Sequence, residues 1–157
     1  MYQRTAQDQR IIVGIDGSDC SRAVLVWAVT QANRTAGIVE VLTVLDEPLP
    51  ADRPQVYRSG LPDPTAAGER YLADLIADVR AQLGGPPIAV VTRVLRGDPA
   101  ELLLDAARNA QMLVVGRGAH GDGPGTVSRR CAQDARCTVA VIAAPSEHSV
   151  PNAGRGA

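Results

Sequence analysis

The chain of 157 residues has no phenylalanine and one tryptophan, so its core has to be built from aliphatic side chains. It has no lysine either: all sixteen basic residues are arginine. That excludes a Schiff-base lysine and the lysine of a Walker phosphate loop. The three cysteines, Cys20, Cys131 and Cys137, are odd in number and lack CxxC spacing. They suggest neither a disulfide framework nor a zinc site. An excess of one charge is missing as well. Sixteen basic residues face seventeen acidic ones, the net charge is −1 and the pI is about 6.1. A nucleic-acid binder usually carries a basic face, so no nucleic acid is expected as a partner. No apolar run approaches a membrane span, and "MYQRTAQDQR" has no secretory pattern. The expected location is cytoplasmic, with no membrane partner.

What is present is Val, Leu, Ile and Ala in short, regularly spaced blocks. The apolar share of 45% and the length fit one domain, expected over residues 10–144. Residues 1–9 read as an N-terminal extension and 145–157 as a disordered tail. "RIIVGID" (Arg10 to Asp16) is a β-branched run that predicts a buried strand. Ser18 is the expected cap of the helix that follows, which carries Val24, Ala28 and Ala32 at spacings of four and has Gly37 as its stop. "IVEVLTVLD" (Ile38 to Asp46) predicts the second strand. A long Pro-rich loop follows, of the kind that is often functional or mobile. Asp63-Pro64 opens a helix with Leu72, Leu75, Ile76, Val79 and Leu83 on one face, ended by Gly84-Gly85. Ile88 to Leu95 predicts the third strand. Asp98, Pro99 and Glu101 form a capping-box pattern before a stripe of Leu102, Leu103, Ala106, Ala107 and Ala110. Met112 to Gly116 is the fourth strand. A short helix with Val127, Cys131 and Ala135 on one face leads to the last strand, Thr138 to Ala144.

Four strand-helix units and a closing strand imply an α/β fold, an open parallel sheet with helices on both faces. Ligands in such sheets bind at the carboxyl ends of the strands, near the switch in strand order. Asp16, Val44, Gly97 and the loop from Gly116 to Gly125 fall on that rim. Asp16 has two readings: a carboxylate that accepts from a base or ribose, or a cap of the turn into the first helix. The stretch "VVGRGAHGDGPGT", from Val114 to Thr126, holds five glycines and opens a helix. Glycines permit an N–H nest, and a helix N-terminus favours anions. Most glycine turns bind nothing, and this one lacks the GK[ST] of a Walker loop. Arg117, Arg129 and Arg130 flank it, either to grip a phosphate or as a solvated helix face. His120 in the loop and His148 in the tail have no evident partner. Ser18, Ser21 and Ser128 lack a His–Asp partnership, so catalysis is not expected.

Several blocks taken in order resemble the universal stress protein family. They are "IIVGIDGSDCSRAVLVWAV", "VLTVLDEP", "VLRGDPAELLLDAA", "MLVVGRGAHG" and "GTVSRRCAQDARCTVAVI". The resemblance covers about residues 10–144. It implies a five-stranded parallel sheet in the order 3-2-1-4-5, of the adenine-nucleotide alpha-hydrolase-like kind. It implies homodimers joined through the last strand. It also implies ATP or another adenine nucleotide as ligand, with or without Mg²⁺. The site residues it implies are Asp16 and Gly17 after the first strand and Val44 near the end of the second. Around the glycine loop they are Gly116, Gly118, Gly121, Gly125, Thr126, Val127 and Ser128.

One departure matters. The ATP-binding members have nine residues between the second and third motif glycines. Here Asp122, Gly123 and Pro124 alone separate Gly121 from Gly125. The shortening removes N–H donors, and Asp122 adds a negative charge where a triphosphate would lie. Two functions therefore stand side by side. One is a regulatory domain that binds an adenine nucleotide in the stress response. The other is a dimeric interaction module of the same family that binds none. An enzyme is the weakest reading: family analogy leaves room for slow ATP hydrolysis, but fold and family do not establish chemistry.

Overall fold

The computed structural model describes residues 9–45, 64–85, 87–118 and 125–144. The expected extension (save residue 9), the Pro-rich loop, His120, Gly121, Asp122 and the tail lie outside the described residues. Five strands form one parallel sheet: β1 (Arg10–Gly14), β2 (Ile38–Leu45), β3 (Val90–Arg96), β4 (Met112–Gly116) and β5 (Thr138–Ile142). Their order is β3-β2-β1-β4-β5, as the resemblance implies. Four helices cross between them: α1 (Ser21–Thr35), α2 (Pro64–Leu83), α3 (Pro99–Ala106) and α4 (Thr126–Asp134). A 3-10 turn continues α3 at Ala107–Asn109.

The central strand explains the two-sided core. Successive side chains of a strand point to opposite faces. Ile11, Val13 and Ile15 enter one cluster with Val24, Ala28 and Leu72 of α1 and α2. Ile12 enters the other with Leu103, Leu113 and Cys131. A parallel sheet covered on both faces reads as a continuous apolar run, which is what "IIVGI" is. Glu40, in the middle of the β2 run, breaks that rule and is only 7% exposed. Its two carboxylate oxygens are held at 3.2 Å by Arg10 and at 3.1 Å by Arg93. A buried charge persists when it is paired in this way.

Two helix signals act differently from their sequence reading. Ser18 does not cap α1. The helix opens at Ser21 after Cys20, with no side-chain cap, and the Ser18 backbone N–H instead donates to Asp16 Oδ1 at 2.9 Å. Gly37 follows the end of α1 as expected, but it is not the residue that turns left-handed. Ala36 takes that conformation, with φ 53°. Gly37 is required for a close approach, since a Cβ there would lie 2.5 Å from the Gln9 carbonyl oxygen. The paired glycines after α2 do act as expected, with Gly84 and Gly85 at φ 59° and 84°. So does Asp98, whose Oδ1 accepts from the Glu101 N–H at 2.8 Å. In α3 the fully buried residues are Ala100 and Leu103, and Ala107 joins them in the turn, with Leu102 and Ala106 half-buried beside them.

Cys131 of α4 is fully buried in the second cluster. Burial pushes its thiol up from 9.0 to about 11, against an opposing pull from Arg130. A thiol whose folded pKa lies above its unfolded value adds its stability in full below the unfolded pKa. That contribution is lost as pH rises through the folded pKa. Urea unfolding is therefore expected to report a loss on the order of 2 kcal/mol between pH 9 and about 11. A Cys131→Ala variant is expected to lose most of this alkaline slope. Burial raises Cys137 as well and leaves it the remainder.

Candidate functional site

Strands β1 and β4 lie side by side, yet the helices that follow them, α1 and α4, pack on opposite faces of the sheet. A crevice forms where two connections diverge like this, at the carboxyl ends of the strands. The described residues enclose a cleft of about 230 Å³ there. Its floor is Gly14, Ile15, Leu42 and Val44, from the ends of β1 and β2. Pro99 and Leu103 of α3 form one wall. Gly116 and Gly118, followed across the loop by Gly125 to Ser128, form the other.

The far wall is built for a backbone that comes close. Gly118 sits at φ 96°, a conformation that favours glycine, and a Cβ on it would lie 3.4 Å from Gly125 Cα. The Gly125 N–H donates to the Arg117 carbonyl at 2.7 Å, which closes the base of the glycine loop. α4 then starts at Thr126. Its first intrahelical bond runs from Arg129 N–H to the Gly125 carbonyl at 3.0 Å. The N–H groups of Thr126, Val127 and Ser128 precede that bond and have no intrahelical acceptor. Three donors and the positive end of the helix dipole thus border the cleft. Ser128 is buried and its hydroxyl donates to the Gly125 carbonyl at 3.0 Å, which fixes the first turn from inside.

Asp16 lines the cleft at the end of the first strand's run and is exposed. Of its two readings the turn is borne out, because Oδ1 holds the Ser18 N–H. That bond occupies one oxygen, and the carboxylate still borders the cavity. Among the expected site residues, Asp16, Val44, Gly116, Gly118, Gly125, Thr126, Val127 and Ser128 come together on this one cleft. Gly17, at φ 79°, shapes the turn beside it without lining it. Gly121 lies outside the described residues.

The sequence reading missed Gly14, Ile15, Leu42, Pro99, Leu103 and Val115, all lining residues. One signal was available: a glycine inside a β-branched strand often marks a close approach of ligand or backbone. Arg130 departs from its phosphate-gripping reading. Its NH1 lies 3.1 Å from Asp98 Oδ1, on the neighbouring helix. Arg129 is exposed on α4. The backbone N–H of Arg117 donates to the Ile142 carbonyl at 2.9 Å. Among the described residues no group of three His, Cys, Asp or Glu side chains could hold a metal ion. Nor is any helix among them long and apolar enough to cross a membrane.

Comparison with known proteins is consistent with this geometry. A universal stress protein of Mycobacterium tuberculosis (strain H37Rv) is 34% identical over 140 residues, which cover 84% of this chain and 47% of that protein. The chain spans about half the length of the first curated relatives it matches. A solved universal stress protein in complex with cAMP superposes with a TM-score of 0.63 at 22% identity, over 87% of this chain and 98% of that one. The universal stress protein from Archaeoglobus fulgidus in complex with dAMP gives 0.61 at 19% identity, over 85% and 97%. At these identities the structures speak for the fold. The model of the universal stress protein family matches residues 8–143, nearly the whole described domain. The chain belongs to the universal stress protein family.

Proposed function

We propose that this chain binds an adenine nucleotide in the cleft between β1 and β4 and acts as a regulatory, non-enzymatic domain in the stress response. The observation that carries the reading is the convergence of Asp16, Val44 and the N-terminus of α4 on one cavity. An aliphatic floor suits a base, a carboxylate suits ribose hydroxyls, and three N–H groups without an intrahelical acceptor suit a phosphate. Two structures of this fold hold the nucleotides cAMP and dAMP, which supports the ligand class. ATP, with or without Mg²⁺, remains part of the proposal. Of the two helix starts that line the cleft, that of α3 is capped by Asp98 and that of α4 has no side-chain cap, so one anion position is expected and AMP should bind at least as tightly as ATP. Mg²⁺, where bound, would come with the phosphates.

A homodimer is proposed through β5. Among the described residues this strand pairs only with β4, and no other strand covers its outer edge, with Val141 exposed on it. The same edge favours the second reading, an interaction module without nucleotide. Native mass spectra of the purified chain, alone and with AMP or with ATP and Mg²⁺, separate the two. A dimer with one nucleotide per subunit is the expected result. A bare dimer at millimolar nucleotide would leave the interaction module. The balanced charge keeps nucleic acid out of the proposal, and a cytoplasmic location goes with it.

A further inference from the structure

The walls of the cleft belong to two helices that reach the sheet separately. Pro99 and Leu103 stand on α3, while Val127 and Ser128 stand on α4. One side chain crosses between the helices beside the cleft. Arg130 NH1 lies 3.1 Å from Asp98 Oδ1, NH2 lies 3.9 Å from Glu101, and Nε lies 3.9 Å from Asp134. Asp98 immediately precedes Pro99, and Arg130 follows Ser128 by two residues. The same Asp98 oxygen accepts from the Glu101 N–H at 2.8 Å. The carboxylate is therefore fixed by the backbone of α3, and the guanidinium grips a post that does not swing.

We infer that the Arg130–Asp98 pair is a strap that sets the spacing of the two walls, so that Arg130 is a positioning residue for the nucleotide and not a ligand of its phosphate. This rests on the nucleotide reading above. α4 has nine residues, and Ser128 and Cys131 are its buried ones. So short a helix needs an outside hold to keep its first-turn N–H groups aimed at one point. Without the strap α4 samples further orientations, and the apparent dissociation constant rises in proportion to the lost competent fraction. Both partners are close to half exposed, which limits the effect to about twofold to fivefold and makes it salt-sensitive.

The test uses the full chain, with AMP as the probe in calorimetric titration and hydrogen exchange read at the Arg129 to Cys131 amides of the free protein. The variants are Arg130→Gln and Asp98→Asn. Asparagine still accepts from the Glu101 N–H, so the helix cap survives. Each variant is expected to weaken AMP about twofold to fivefold, with the double variant no weaker than either. Exchange in α4 is expected to rise, and in about 1 M NaCl all the proteins should bind alike. Unchanged affinity, losses that multiply in the double variant, or a loss that persists in high salt would overturn the strap. If the wild-type chain binds no AMP while exchange still responds to the variants, the nucleotide reading has failed. The positioning role then falls with it, and only the link between helices stands.

Discussion

Aspartate in place of Thr126 is expected to weaken AMP binding by a hundredfold or more while making the fold slightly more stable. Thr126 is the first residue of α4, is exposed, and lines the cleft. An acidic side chain in the first turn of a helix meets the positive end of its dipole, worth about 0.3–1 kcal/mol. A phosphate held by the same N–H groups would lie about 4 Å from that carboxylate. Two like charges at this distance cost about 4 kcal/mol at an effective dielectric of 20. Partial exposure trims the figure and leaves roughly a hundredfold. The opposite signs are what make the substitution informative. A variant that loses ligand because it unfolds also melts earlier, whereas Thr126→Asp is expected to melt at the same temperature or higher. Thr126→Asn, neutral and of similar size, should keep most of the affinity. Thermal unfolding with and without AMP reads both quantities. Undiminished AMP binding by Thr126→Asp would mean that phosphate does not sit at α4.

Much of the fold could be read from local chemistry, and the misreadings have local causes. β-branched runs bounded by polar turns located all five strands; β1 and β4, buried on both faces, need an unbroken apolar run, while the edge strands β3 and β5 are more exposed and were marked by their β-branched residues. The capping box at Asp98 was legible because its donor and acceptor lie three residues apart in sequence. Ser18 was misread because Asp16 competes for the same turn. The Asp16 carboxylate folds the Ser18 N–H into a turn of its own, and the helix opens only at Ser21, whose N–H donates to the Ser18 backbone carbonyl at 3.0 Å, leaving the Ser18 hydroxyl outside the capping position. At Gly37 the end of the helix was legible, but the contact that requires glycine there was not, because the Gln9 carbonyl lies twenty-eight residues back and is invisible to any local pattern. The site divides along the same line. Asp16 and the glycine loop announced themselves by residue type. Leu42, Pro99 and Leu103 are ordinary fold residues until β2 and α3 are brought against β1. The two readings of Arg130, phosphate grip or solvated face, stayed open because only the packing of α4 on α3 reveals Asp98 as its partner.

Gly14 joins the two halves of that account, since it is both a packing residue and the floor of the cleft. A Cβ on it would lie 2.9 Å and 3.1 Å from the two methyls of Leu103, and 3.3 Å from a methyl of Val115. Those are the side chains that seat α3 and β4 in the second cluster. Valine at this position would add three carbons where glycine has none. One part pushes Leu103, and with it α3, away from the sheet. The rest enters the space where a base would lie. Gly14→Val is therefore expected to lower stability by about 1–3 kcal/mol, the range for overpacking in a dense core. It is also expected to abolish the gain in melting temperature that AMP gives the wild-type chain. Leu103→Ala separates these effects, because it removes the methyls that valine would strike. On its own it should cost about 2–5 kcal/mol as a cavity. Combined with Gly14→Val it should cost at least about 1 kcal/mol less than the two losses added together, the mark of residues in contact. The double variant would regain packing, yet the valine would still occupy the floor, so AMP should remain unbound. Recovery of stability together with recovery of AMP binding would move the ligand off the ends of β1 and β2. Recovery of stability alone would assign to one glycine both the close packing of α3 on the sheet and the room for a ligand above it.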